Sequence, residues 1–234
     1  MLQLRKSEQR GRFQNEWLDS FHTFSFGSYY DPEFIQFGTL RVINQDIVAP
    51  DSGFGMHKHK DMEIFTYILS GVLEHKDSMG NKEQIKAGEV QIMSAGTGVM
   101  HSEYNPSKTE SVELLQIWVL PGQLRIEPRY AQKLFDRNEK LNQLRLIISP
   151  DETNGSLKII QKTWVYASLL EKNKEIQYQP QDGKKTWFHV GSGSVKVNDH
   201  VLNKGDSMAI MDGMKIQVTG QSEISDLILI EVNQ

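Results

Sequence analysis

The chain of 234 residues contains no cysteine, which excludes disulfides, zinc–cysteine clusters, iron–sulfur centres and thiol catalysis together. Its stability must come from a hydrophobic core, which a chain of this length can bury as one large domain or two small ones. It also lacks any apolar run near the ~20 residues that a membrane-spanning helix needs. The opening stretch MLQLRKSEQRGRFQ is polar and charged, without the apolar segment of a signal peptide; the expected location is the cytoplasm. A basic excess is missing too. The formal net charge is -4, which argues against nucleic acid as the main partner, because phosphate binding calls for a basic surface. The local group Arg125, Arg129, Lys133, Arg137 and Lys140 is read as the solvated face of a helix.

Helix-forming segments are scarce as well. Pro128 to Gln143 (PRYAQKLFDRNEKLNQ) reads as a helix from its leading Pro and its lack of internal Gly, and a shorter helical stretch is read at Ala167 to Lys172. What fills the remainder is short runs rich in β-branched and aromatic residues, such as MEIFTYILSG (62–71), GEVQIMSAG (88–96) and VELLQIWVLPG (112–122). Gly, Asn, Asp and Pro turns separate them, the pattern of a β-barrel or sandwich.

An internal repeat divides the chain. GVLEHKDSMGNKEQIKAGEVQIM, from Gly71, and GSVKVNDHVLNKGDSMAIM, from Gly193, share one order: Gly, strand, polar turn, strand, then Gly88 or Gly205 followed by an acidic residue and another strand. Two copies imply two barrels, residues 1–140 and 145–234, with the helical segment near their junction.

The chemistry concentrates in the first copy. His57-Lys58-His59 places two imidazoles on one face of a strand, about 7 Å apart along the chain. His101-Ser102-Glu103 does the same for an imidazole and a carboxylate. A lone H-x-H is most often two surface histidines. Here a glycine-bounded turn (Gly53-Phe54-Gly55) precedes it and an H-x-E follows beyond a hairpin, so the pair of motifs reads as one metal site. Neutral imidazoles with a carboxylate suit Fe(II), and also Mn, Co, Ni, Cu or Zn. The other histidines take ordinary readings: His75 as a turn cap or at the cavity mouth, His22 as packing within an aromatic stretch, and His189 and His200 as unpartnered residues of the second barrel.

At these residues the chain resembles a known family. Gly53 to Gly71 is similar to the first cupin motif and Gly88 to Asn105 to the second, except that Ser94 replaces the usual proline and two extra residues separate Gly96 from His101. LDSFHTFSFGSYYDP, GFGMHKHKDMEIFTYILSG, EHKDSMGN, MSAGTGVMHSEYN and LQIWVLP resemble bacterial pirin-like proteins named quercetin 2,3-dioxygenases. The resemblance implies an all-β fold of two cupin (jelly-roll) barrels and a monomer. It implies one divalent metal, Fe(II) by preference, held by His57, His59, His101 and Glu103. Spacing alone leaves Glu63 and Glu103 as rival carboxylates, and the pirin pattern favours Glu103; Glu63 shares the parity of His57 and His59 and is read as a residue that orients a ligand.

Within the second copy, aligning the glycines sets Gln179 and Gln181 against His57 and His59, and Val218 and Gly220 against His101 and Glu103. That barrel is therefore expected to be metal-free. The function implied by the resemblance is cleavage of the heterocyclic ring of a flavonol such as quercetin by dioxygen with release of carbon monoxide, Glu103 serving as base. Phe54, Met56, Ile92, Met93 and Met100 are read as its apolar wall, although an ordinary core would hold them equally well. The rival readings are a non-catalytic iron-binding partner of regulatory proteins and a metal-dependent isomerase or hydrolase of a small acid.

Overall fold

The computed structural model describes residues 2–211 and 213–233. Strands account for 59% of the residues and helix for 4%. In chain order the strands are β1 (Leu2–Arg5), β2 (Gly11–Gln14), β3 (Leu18–His22), β4 (Leu40–Val48), β5 (Ser52–His59) and β6 (Glu63–Ser70). They continue as β7 (Val72–Asp77), β8 (Lys82–Lys86), β9 (Glu89–Ser94), β10 (Val99–Asn105), β11 (Val112–Val119) and β12 (Arg129–Leu134). A helical turn, α1 (Arg137–Lys140), leads to β13 (Arg145–Ser149), β14 (Leu157–Lys158), β15 (Thr163–Glu171), β16 (Glu175–Tyr178) and β17 (Lys184–Ser192). Last come β18 (Ser194–Val197), β19 (His200–Asn203), β20 (Ser207–Ile210), β21 (Ile216–Gly220) and β22 (Ile224–Asn233).

The chain forms two compact units, one of Gly11–Leu134 with Ile159–Gln161, the other of Met1–Arg10, Phe135–Lys158 and Lys162–Gln234. In the first, a sheet ordered β12-β9-β6-β11-β4-β3-β2 packs on a smaller one ordered β5-β10-β7-β8. One end of this barrel is apolar: Leu18, Val48, Ile68, Val112 and Leu114 of the large sheet meet Leu73 and Ile85 of the small one. Each such side chain is worth ~1.5–3 kcal/mol relative to exposure, so this end can hold the sheets together without help from the other. The other end is polar. Along β11 the inward row passes from Val112 and Leu114 to Gln116 and Trp118, and along β4 from Val48 to Asp46 and Asn44.

The second unit repeats the plan, with sheets ordered β1-β20-β17-β22-β15-β13-β14 and β16-β21-β18-β19. The repeat's leading glycines play one role in both copies. Gly71 and Gly193 have φ of 80° and 77°, the left-handed region that side chains resist. A Cβ at Gly71 would lie 2.8 Å from the Ser111 carbonyl oxygen, and one at Gly193 2.6 Å from that of Ile224. The units differ from the expected 1–140 and 145–234 at both ends of the first span. β1 pairs with β20, Leu2 opposite Ile210, and so supplies the second unit with the edge strand that β12 supplies to the first. Phe135 onward, including α1, also belongs to the second unit.

The expected helix over 128–143 is a strand followed by a single turn. Arg129 to Leu134 pair with β9, Arg129 opposite Ser94 and Leu134 opposite Glu89, and a ladder on an existing sheet outweighs a modest helix propensity. Helix persists only over Arg137–Lys140, where Asp136 N donates to Glu139 Oε2 at 2.9 Å in a capping box. The basic group is therefore not one helical face, and Lys140 is buried. Ala167 to Lys172 is likewise not helical: residues 163–171 form β15, paired on both sides with β13 and β22.

His189 is buried in the second unit with Nδ1 2.8 Å from Ser207 Oγ. Burial, with the nearby Arg10 charge, pushes it down to about 3. Its folded value lies below the ordinary one of about 6.5, so its contribution to stability is complete above that pH and is lost as pH falls toward 3. Between pH 7.5 and 5 the linkage amounts to about 2 kcal/mol. Urea unfolding should show wild-type protein losing that much more stability over this interval than His189→Gln does. Equal losses would refute the assignment.

Candidate metal centre

β5 and β10 pair antiparallel with His57 opposite His101, and a bulge after His101 sets Glu103 opposite Phe54. Alternation then turns His57, His59, His101 and Glu103 to the barrel interior. The three imidazoles converge: ring centroids lie 4.8 Å apart for His57 and His59, 4.4 Å for His57 and His101, and 4.8 Å for His59 and His101. A nitrogen from each ring falls within 4.8 Å of the others.

The protonation states suit a cation. Burial, then the charges of His101 and His57, pushes His59 down to about 4. Burial, then His57 and His75, pushes His101 down to about 3. Both rings are neutral at pH 7, the form that ligates a metal. His57 Nδ1 lies 2.8 Å from the Gly55 carbonyl oxygen; that oxygen can only accept, so the proton sits on Nδ1 and Nε2 keeps its lone pair. Most telling is His101, whose two ring nitrogens are buried and have no hydrogen-bond partner among the described residues. An unsatisfied buried polar atom costs about 1–3 kcal/mol, and a divalent cation among these rings removes that cost.

Glu103 is buried and tightly oriented. Gln91 Nε2 donates to Oε1 at 2.7 Å and Gln116 Nε2 to Oε2 at 2.7 Å. Thr66 Oγ1 donates to Gln116 Oε1 at 3.0 Å, which turns that amide's N–H toward Glu103. Glu63 does not orient a ligand. It lies on β6, whose inward residues are Thr66 and Ile68, and its carboxylate accepts Ser94 Oγ at 3.1 Å, Ile160 N at 2.8 Å and Gln161 N at 2.7 Å. It ties down the passing segment.

Two histidines given ordinary readings belong to this end of the barrel. His75, buried on β7 opposite Glu103, forms with His101 and Glu103 a second close group of potential ligands. Its Nε2 lies 3.0 Å from Asp77 Oδ2 and its ring stacks on Tyr130 at 4.5 Å. The signal was present: His75-Lys76-Asp77 has the same alternate spacing as the other two motifs. His22 Nε2 lies 2.9 Å from Ser20 Oγ, which donates to Asp46 Oδ1 at 2.5 Å. Burial pushes the Asp46 carboxyl up to about 7, opposed by the Ser20 hydrogen bond and reinforced by the charge of Glu103.

A cavity of about 430 Å³ opens beside the cluster. Phe13, Leu18, Phe26, Phe54 and Trp118 form its apolar wall, and His57, His59, Glu103, Ser20, His22 and Asp46 also line it. Of the wall read from sequence only Phe54 is there: Ile92 and Met93 are core residues, while Met56 and Met100 are about half exposed on the outward face.

The second barrel fills the corresponding space with core side chains. In the equivalent strand pair Tyr178 stands opposite Ile216 where His57 faces His101, and Val218 opposite Val197 where Glu103 faces His75. All four belong to its core. Aligning by glycines had set the slots of His101 and Glu103 two residues late, at Val218 and Gly220; Gln179 and Gln181 are exposed beyond the end of β16.

Residues 3–119 match the family described as Pirin, and residues 146–232 the one described as Quercetinase C-terminal cupin domain. The chain is 47% identical to an Escherichia coli protein named quercetin 2,3-dioxygenase over 99% of both chains. It is 33% identical to a pirin-like protein of Caulobacter vibrioides over 99% of both. Its fold superposes on the crystal structure of the bacterial pirin YhhW from E. coli in complex with nickel(II), with a TM-score of 0.93, 46% identity and coverage of 100% of this chain and 99% of that one. Twin cupin barrels, and a histidine–glutamate cluster that among the described residues lies in the first of them, agree with these likenesses along the whole chain: it belongs to the pirin family.

Proposed function

We propose that the protein binds one divalent metal through His57, His59, His101 and Glu103, and that it uses dioxygen to cleave the heterocyclic ring of flavonols such as quercetin. The observation that carries this reading is the sharing of one cavity by His57, His59 and Glu103 with an aromatic wall of Phe13, Phe26, Phe54 and Trp118. Flat aromatic substrates pack well against such walls. The name quercetin 2,3-dioxygenase borne by a relative of 47% identity supports the same substrate class.

A divalent ion bound there, Fe(II) by preference, supplies a Lewis acid and a template for a substrate with a hydroxyl beside a carbonyl. The chain's own residues do the remainder. Gln91 and Gln116 fix the Glu103 carboxylate in one orientation, and the Trp118 ring edge, 4.9 Å from His59 between centroids, holds that imidazole in place. The apolar wall excludes water from the reacting ring. With both oxygens engaged by amides, Glu103 is better placed as a ligand than as the base first expected of it.

One feature favours a second reading, a non-catalytic partner of a regulatory protein. Met56, Met100 and Tyr104 are exposed on the outward face of the two strands that carry the cluster. A complex with such a partner that forms or dissolves with the oxidation state of bound iron would support it.

His57→Ala or His101→Ala should lower bound metal to background, measured by elemental analysis after reconstitution; unchanged content in both would refute the ligand set. Glu103→Gln should weaken metal binding, whereas Glu63→Gln should leave it intact and cost about 1–3 kcal/mol of stability. Reconstitution with Fe(II) without oxygen, then quercetin and air, should bleach the flavonol band and release carbon monoxide. Failure with each of Fe, Mn, Co, Ni and Cu would sink the dioxygenase reading.

A further inference from the structure

We propose that Asp46 is the proton acceptor for the flavonol hydroxyl, held ready by Ser20 and His22; the inference rests on the dioxygenase reading and deepens it. Asp46 lies on β4, two residues from the apolar end of the barrel, and lines the same cavity as His57, His59 and Glu103. It is only 3% exposed. Its Oδ1 accepts the Ser20 hydroxyl at 2.5 Å, and Ser20 Oγ lies 2.9 Å from His22 Nε2. A serine has one proton to give, and here it goes to Asp46. His22 must then present Nε2–H to the serine oxygen, so both donors point toward the carboxylate. Oδ2 accepts nothing from the described residues.

The contrast with Glu103 makes the assignment. Both oxygens of Glu103 already take an amide N–H at 2.7 Å. Asp46 has one oxygen held and one open. Facing it are Ser20 and His22 from β3, Gln116 from β11, Glu103 from β10, and His57 and His59 from β5, all on the same cavity. Burial of this kind makes a carboxylate a stronger proton acceptor than one in water.

The transfer balances. The flavonol O–H bond breaks, its electron pair stays on the flavonol oxygen, and the proton bonds to Asp46 Oδ2, converting carboxylate to neutral acid. Ring opening with dioxygen and loss of carbon monoxide yields a carboxylate. At pH 7 it leaves as the anion, a far weaker base than the Asp46 carboxylate, and Asp46 regains its ionised form by releasing the proton to water.

The test uses wild type, Asp46→Asn and Ser20→Ala, each loaded with Zn(II) and mixed with quercetin in the absence of oxygen, so that the visible band of the bound flavonol reports its protonation. Wild type should bind the flavonolate at pH 7.5. Asp46→Asn should keep its metal content and bind quercetin within threefold of wild type, yet hold it neutral to a pH at least one unit higher. With the turnover metal and air, its kcat should fall at least tenfold with KM changed less than threefold. Ser20→Ala removes the donor that stabilises the anion, so the acid limb of its kcat profile should move to higher pH. An Asp46→Asn protein with the wild-type band and kcat overturns the proposal, and so does one that has lost its metal, since the role is then structural. Wild type that binds flavonolate but never cleaves it defeats the dioxygenase reading while supporting the role of Asp46. Wild type that binds no flavonol overturns both.

Discussion

Backbone hydrogen bonds between β5 and β10 hold His57 opposite His101, and the remainder of the site follows from that register. Side chains alternate across a strand, so a slip of β5 by one residue would turn His57 and His59 outward together. The bulge lies on β5, where three steps from His57 to Phe54 face two from His101 to Glu103, and it brings Phe54 onto the same cavity as His57. Around this pair the neighbouring strands bring polar atoms that serve the ligands: Gln91 from β9, Gln116 from β11 and Thr66 from β6.

The two barrels share one strand order but fill their interiors differently. In the first, apolar packing is concentrated at one end, which leaves the other free for buried imidazoles and carboxyls whose desolvation only a cation or a polar network can offset. In the second, Tyr178, Val197, Ile216 and Val218 occupy the equivalent positions and continue the core. Duplication followed by the exchange of a few inward residues is enough to separate a chemical barrel from a structural one.

Much of this was legible in the sequence because β-structure writes its faces at alternate positions. H-x-H and H-x-E announce shared faces without knowledge of the fold, and the glycines of the repeat mark turns that only glycine tolerates well. What escaped was contact between strands distant in sequence. Nothing local in β4 distinguishes Asp46 from a solvated carboxylate, and Gln91 and Gln116 look like ordinary polar residues until β9 and β11 are set around β10. Glu63 misled because parity was counted through a turn, although β6 restarts the count. The segment 128–143 misled because its propensity is helical while its position beside β9 is not. Long-range pairing decided each of these.

The strand β1 carries a consequence for the order in which the molecule can be made. It is made before the first barrel, yet its partner β20 comes long after it, with Leu2 opposite Ile210 and Asp206 receiving the Ser7 backbone N–H at 2.7 Å and the Lys6 ammonium at 3.0 Å. A contact spanning most of the chain forms late and slowly, whereas the first barrel needs only Gly11–Leu134 and Ile159–Gln161, all made well before β20. During translation the metal-binding barrel can thus be complete while β1 still lacks its partner, and closing the second unit's sheet must reach back across the whole of the first barrel's sequence.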